Sequence, residues 1–300
     1  MSRVEGVMQN RRRGRAGLAP YLFLTPNLAV FLIFIIVPAG YNFYLSLFRT
    51  SPFRSPEFVG TENFFYLFQR DDLFWRAARN VAVFVIGDVT LITVFSVLIG
   101  VLLNQEIRCR GFFRSAFFYP VLLSPVVVAL VWQWILNSQF GALNALLELV
   151  SLPRQPWLLK PNWGMFWAIF VHVWATLGFF ALVILAGLQS IPPTLYEAAV
   201  IDGAGRWAGF RHVTLPLLMP SLMVVLVLST IRSFEIFDHI YVLTGGGPGT
   251  ATLMVVQFIY RAAFQLDQFG LAAAASLVLF VVIFSLTVLQ YFLGRRREAM

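Results

Sequence analysis

The most informative stretch of the chain is Ile191-Pro-Pro-Thr-Leu-Tyr-Glu-Ala-Ala-Val-Ile-Asp-Gly-Ala-Gly-Arg-Trp-Ala-Gly-Phe-Arg-His-Val-Thr-Leu-Pro216, a polar connector between two long apolar runs. Thr194 followed at the third position by Glu197 reads as a capping box, in which the two side chains satisfy free amides at a helix start, with Pro192 and Pro193 just upstream. The pattern predicts a helix from Thr194 that stops near the turn-forming pair Asp202-Gly203. A second short helix is expected from about Gly205 to Val213, before Pro216 opens the next apolar run. Ala198 and Ala199 give the first helix a face without bulk. The segment is thus a helical hairpin shaped to enter a groove in another body; a surface-lying connector with no partner is the other reading of the same local physics.

The apolar runs on either side belong to a series. Hydrophobic residues make up 59% of the 300 and charged residues 12%, and mean hydropathy is +0.78. Soluble chains carry roughly 25% charge. A spanning helix needs about 20 mostly apolar residues for about 30 Å of hydrocarbon. Six stretches qualify: 21–48, 80–105, 115–137, 163–189, 216–244 and 270–293, with the hairpin occupying 190–216. We therefore expect an all-α membrane protein of six transmembrane helices in a single domain, since no internal repeat or low-complexity tract stands out. The first run is too long for the 7 to 15-residue core of a signal peptide and reads as a retained span.

Arginines at 3, 11, 12, 13 and 15 precede the first run, Arg108, Arg110 and Arg114 crowd the link between the second and third, and Arg295 to Arg297 follow the last. By the positive-inside rule these segments, both termini and the hairpin are expected to be cytoplasmic. The formal charge of +8 and pI near 10.1 follow from that anchoring in the bilayer, and no aromatic-interleaved basic pattern points to nucleic acid. The outer segment from Arg49 to Arg79 balances arginines 49, 54, 70, 76 and 79 with Glu57, Glu62, Asp71 and Asp72. Its aromatics near helical spacing from Glu62 suggest a short interfacial helix, a packed loop being the alternative.

Composition also excludes chemistries. The one lysine, Lys160, rules out a Gly-x-x-x-x-Gly-Lys-Ser/Thr phosphate loop, so the chain carries no P-loop ATPase of its own. The one cysteine, Cys109, rules out an intrachain disulfide and Cys-x-x-Cys sites; His172, His212 and His239 stand far apart. No metal, no cofactor and no catalytic residue is expected in this chain.

The pattern Glu197-Ala-Ala-x-x-Asp-Gly-Ala-x-x-x-x-x-Phe-x-x-x-x-Leu-Pro216 resembles the EAA loop of permease subunits in bacterial binding-protein-dependent ABC importers. Phe237-Asp-His-Ile-Tyr-Val-Leu-Thr-Gly-Gly-Gly-Pro-Gly-Thr250, Arg110-Gly-Phe-Phe-Arg-Ser-Ala-Phe-Phe-Tyr-Pro120 and Leu185-Ala-Gly-Leu-Gln-Ser-Ile-Pro192 are similar to the carbohydrate-uptake branch, the type of the first maltose permease and its glycerol-3-phosphate counterpart. The resemblance implies a type I ABC importer permease architecture in the bacterial inner membrane. It further implies a second homologous permease subunit, two ATPase subunits binding ATP and Mg, an extracytoplasmic solute-binding protein, and a sugar or sugar-like solute. By resemblance, Glu197, Ala198, Ala199, Asp202, Gly203 and Ala204 couple this chain to the ATPase.

Ionisable residues inside spans are costly and mark a bundle interior or a pathway. Arg232, Glu235 and Asp238 at i, i+3 and i+6 of the fifth span would cover about 120° of one helix face. Intrahelical pairing with tips at the headgroups is the alternative. Asp88 is either a pathway residue or the buried partner of an arginine. Trp132, Gln133 and Trp134 suit a sugar's apolar faces and hydroxyls, or else anchor and pack the third span, and His172 reads as a hydrogen-bonded packing residue. Gly245-Gly-Gly-Pro-Gly249 permits a tight re-entrant turn. Two rivals remain at this level: an ABC permease for a polyamine, phosphate or another non-sugar solute, and an ion-coupled carrier using Asp88, Glu235 and Asp238.

Overall fold

The computed structural model describes residues 19–51, 54–105 and 108–298. The amino-terminal arginines at 3 to 15 lie outside the described residues. The chain opens with α1 (Ala19–Phe31), which runs through a π-helical turn (Leu32–Ile36) into α2 (Val37–Ser46). Its side chains are apolar and exposed over most of this length, Phe23 at 86% and Phe34 at 71%, as a helix in hydrocarbon requires. A two-stranded antiparallel hairpin follows, β1 (Phe48–Ser51) with β2 (Arg54–Phe58), pairing Phe48 with Phe58 and Arg49 with Glu57. The sequence had suggested no strand here. A short helix is present after it, α3 (Glu62–Gln69), rather than a loop, and there the Asn63 amide donates to Ser46 O at 2.7 Å and Phe48 O at 3.0 Å.

The centre is α4 (Asp72–Asn104), which packs along α8 (Pro161–Gln189). Between them lie α5 (Arg110–Phe118), a 3₁₀ turn (Tyr119–Leu122), α6 (Pro125–Ile135) and α7 (Ala142–Leu149). The expected third span, 115–137, is therefore not one straight helix: α5 with its 3₁₀ turn meets α6 at 98°. Leu123 and Ser124 are extended, as a residue before proline prefers, and Pro125 then occupies the first turn of α6 where its missing amide costs nothing. The elbow nests against α8 at Gly178, where an added Cβ would stand 2.0 Å from Phe117 O.

Beyond α8 come the hairpin helices α9 (Pro193–Ile201) and α10 (Arg206–Gly209), a π turn (Phe210–Thr214) and α11 (Leu215–Leu217). The chain bends 64° into α12 (Met219–Phe234), then forms α13 (Asp238–Leu243), α14 (Val255–Tyr260) with a π turn (Arg261–Gln265), and α15 (Phe269–Glu298). The fifth predicted span, 216–244, is thus divided near both ends. Among the described residues four helices are long and apolar enough to cross a membrane, and up to six spans result if each bent pair is one. Among the described residues two large buried apolar clusters hold the bundle, with Phe84, Val171, Ile240 and Met254 in one and Ile92, Phe180, Ile184 and Leu218 in the other, beside the hairpin; a third, small one joins Ala262, Ala263 and Ala272.

Candidate functional site: the helical hairpin and the polar junction

Pro192 is the N-cap of α9, with φ −60° and ψ 131°, and Pro193 takes the first helical position. No side-chain cap bond forms there, so the Thr194–Glu197 capping box is not realised. The two prolines start the helix one residue earlier, because proline's fixed φ and missing amide already suit that turn. The stop is as the Asp-Gly pair implied. Gly203 has φ +79°, its amide donates to Val200 O at 3.0 Å, and the Ala204 amide donates to Ala199 O at 2.8 Å. These two bonds satisfy carbonyls that the last turn leaves free.

The Tyr196 hydroxyl lies 3.1 Å from that of Thr214, tying α9 to the π turn. Glu197, Ala198, Asp202 and Gly203 are exposed, while Ala199 and Ala204 line a groove of about 500 Å³ between the hairpin and the ends of α4 and α8. Val200, Ile201 and Trp207 are 70%, 86% and 71% exposed, and the Trp207 ring stacks on Phe210.

The hairpin's base is anchored by residues of the basic link and by the end of α8. Arg110 Nε donates to Leu103 O of α4 at 2.5 Å. With the Gln189 amide oriented to satisfy both groups, its carbonyl accepts from Arg114 at 2.9 Å and Arg110 at 3.2 Å. Gln189 is the last residue of α8. The basic link therefore binds the helix ends from which the hairpin departs, and cations at a helix carboxyl end also suit its dipole.

Asp88 sits sixteen residues from either end of α4 and is fully buried. The expected arginine partner is not there. One carboxylate oxygen accepts from Ser233 Oγ of α12 at 2.6 Å, and the other lies 2.7 Å from His172 Nδ1 of α8. Three helices converge on one carboxylate. The His239 ring of α13 stands edge-on to His172, with centroids 5.4 Å apart, and its Nε2 has no hydrogen-bond partner among the described residues. Ser233 and His239 were missed as members of this junction; the available signal was that small hydroxyl and imidazole side chains on membrane helices bond between helices.

The expected charged face of the fifth span is also corrected. α12 ends at Phe234 and Glu235 is its C-cap, so Asp238 begins a separate helix and the three residues share no continuous face. All three are exposed, and none forms an ion pair among the described residues. The Arg232 guanidinium lies 4.6 Å from the Phe179 ring centre, a cation–π arrangement. Trp132 packs against Trp167, Phe170 and Trp174. The Gln133 amide donates to Val242 O at 3.1 Å, and Trp134, 56% exposed, shares with it a cleft of about 680 Å³ that reaches Tyr241 and Gly245.

A family model of binding-protein-dependent transport system inner membrane components matches residues 92–299. The chain belongs to that family. This permease is 37% identical to the trehalose/maltose transport system permease protein MalF of Thermococcus litoralis, over 98% of its own length and 100% of the relative's. It is 36% identical to the probable ABC transporter permease protein YurN of Bacillus subtilis, over 91% and 94%. A crystal structure of a bacterial ABC transporter involved in importing the acidic polysaccharide alginate superposes with a TM-score of 0.81 at 28% identity, covering 93% of this chain and 95% of that one. The permease is accordingly a multi-pass membrane protein of the ABC importer type.

Proposed function

We propose that this permease takes up a sugar or sugar-like solute through a bacterial inner (plasma) membrane, with the hairpin and both termini on the cytoplasmic side. It pairs with a second homologous permease chain. Two ATPase subunits, binding ATP and Mg, dock on the hairpin through Glu197, Ala198, Ala199, Asp202, Gly203 and Ala204, and an extracytoplasmic solute-binding protein delivers cargo. No covalent chemistry occurs in this chain.

The observation that carries this reading is the hairpin. A polar connector that leaves Val200, Ile201 and Trp207 open to solvent, on a helix closed by a two-bond glycine cap, is a preformed docking surface. The sugar part draws support from the relatives, whose names specify trehalose and maltose transport and, for AmyD of Thermoanaerobacterium thermosulfurigenes (31% identical, covering 94% of this chain and 96% of the relative), starch degradation products. Arg232, Glu235 and Asp238, exposed at membrane depth, then face the solute path or the second chain, with Gln133 and Trp134 at its mouth. Asp88 and Trp132 act on that path through packing.

The test uses the assembled importer. Glu197→Ala or Gly203→Val is expected to cut sugar uptake about tenfold, equivalent to roughly 1.4 kcal/mol at the limiting step, while ATP hydrolysis continues and the complex still inserts. Undiminished sugar-stimulated uptake in both variants would sink the docking assignment.

A further inference from the structure

Beside the cleft that holds Trp134 lies a second one of about 400 Å³, lined by Tyr241, Gly245, Gln257, Tyr260, Arg261 and Gln265. Its volume falls within the range of about 300 to 1,000 Å³ typical of small-molecule sites. Gln257 is 5% exposed and its Oε1 has no hydrogen-bond partner among the described residues. An unpartnered buried amide is costly to keep, and such groups persist where a ligand satisfies them. The amide rests on the Gly246 backbone, where an added Cβ would stand 3.0 Å from Oε1.

The lining is also aromatic. Tyr241 stacks on Phe237 at 5.0 Å and meets Tyr260 edge-on at 5.6 Å, and Tyr260 in turn contacts Phe264 at 5.3 Å. Aromatic rings in one lining with two amides and a guanidinium suit a pyranose, which offers C–H bonds on its faces and hydroxyls around its rim. We propose that this cleft is a saccharide subsite, in which Gln257, Arg261 and Gln265 bind ring hydroxyls and Tyr241 and Tyr260 support the ring. The inference rests on the sugar reading given above and adds the residues that hold the sugar at this end of the path.

The experiment is calorimetric titration of maltose, trehalose and an alginate pentasaccharide into the complete complex in lipid nanodiscs. At least one of them is expected to bind saturably, with Gln257→Leu weakening it about five- to tenfold, the worth of one lost neutral hydrogen bond. Where Gln257→Leu does not assemble, Arg261→Gln decides in its place, because an exposed side chain tolerates replacement; the same loss supports the subsite. Unchanged affinity in the assembled variant, or no saturable binding by any of the three sugars, overturns it. Uptake separates the two readings: sugar accumulation with wild-type kinetics in the variants removes the subsite alone, whereas an importer that accumulates spermidine and none of the sugars removes the sugar assignment as well.

Discussion

The hairpin and the junction at Asp88 are inverted with respect to ordinary folding rules, in opposite ways. The hairpin displays isoleucine, valine and tryptophan on a polar connector, while the junction buries a carboxylate, two imidazoles and a hydroxyl inside an apolar bundle. The buried group is satisfied within the chain, by donors from helices that are 84 and 145 residues away in sequence. The exposed groups are satisfied by nothing in the chain. Stability therefore resides in the junction and recognition in the hairpin, and mutations should separate the two.

The largest expected effect is at the junction. Asp88→Ala removes the acceptor shared by α8 and α12 and is expected to cost about 3 kcal/mol, the lower end for breaking a buried pair. Ser233 keeps a bond to Ser229 O at 2.7 Å, so the loss falls mainly on His172. Thermal unfolding of the purified complex, followed by tryptophan fluorescence, measures it. Neutral hydrogen bonds between membrane helices average only about 0.6 kcal/mol, so a loss of that size would show that the junction is an ordinary contact and would break the comparison.

Legibility from sequence follows the same division. Span positions were readable because apolar run length is set by bilayer thickness, and the hairpin's end was readable because Asp202-Gly203 is a local signal that the φ of +79° at Gly203 then realises. The partners of Asp88 were not readable, since nothing local says which of several polar residues on other helices will meet it. The break between α5 and α6 and the bend into α12 escaped for a related reason: proline is tolerated inside membrane helices, so Pro120, Pro125 and Pro220 do not by themselves distinguish a kink from a stop. At α9 the capping-box pattern was real as sequence, but two prolines upstream had already fixed the start. The strands at 48–51 and 54–58 lay hidden in a segment read for its charge balance and for a helix from Glu62.

A smaller effect is expected where the two regions are joined. Arg114 and Arg110 hold Gln189 at the root of the hairpin, and Arg110 also holds the Leu103 carbonyl of α4. A double-mutant cycle of Arg114→Met with Gln189→Leu is expected to give a coupling energy of about 1 kcal/mol in unfolding. If the link also carries force, each single variant lowers uptake per ATP hydrolysed while leaving hydrolysis itself in place. Additive effects in both measurements would mean that the hairpin and the bundle communicate by another route.

The smallest effect belongs to a charge pair that has neither property. Glu148 of α7 lies against Arg154, and the guanidinium hydrogen bond, opposed by desolvation and aided by Coulombic attraction, holds the Glu148 carboxyl below the usual carboxylate range. A carboxylate whose pKa is lowered on folding stabilises the fold above its unfolded value and loses that contribution as pH falls through the folded one. The window here lies below the ordinary glutamate pKa. Both side chains are about half exposed, so solvent screens the pair and crossing the window should barely move the unfolding midpoint. Glu148→Gln is expected to match the parent in thermal unfolding at pH 7 and to differ only slightly from it at pH 4. A loss approaching that of Asp88→Ala would mean that burial is not what separates the junction from the surface, and that the fixed geometry of the donors matters more than their exclusion from water.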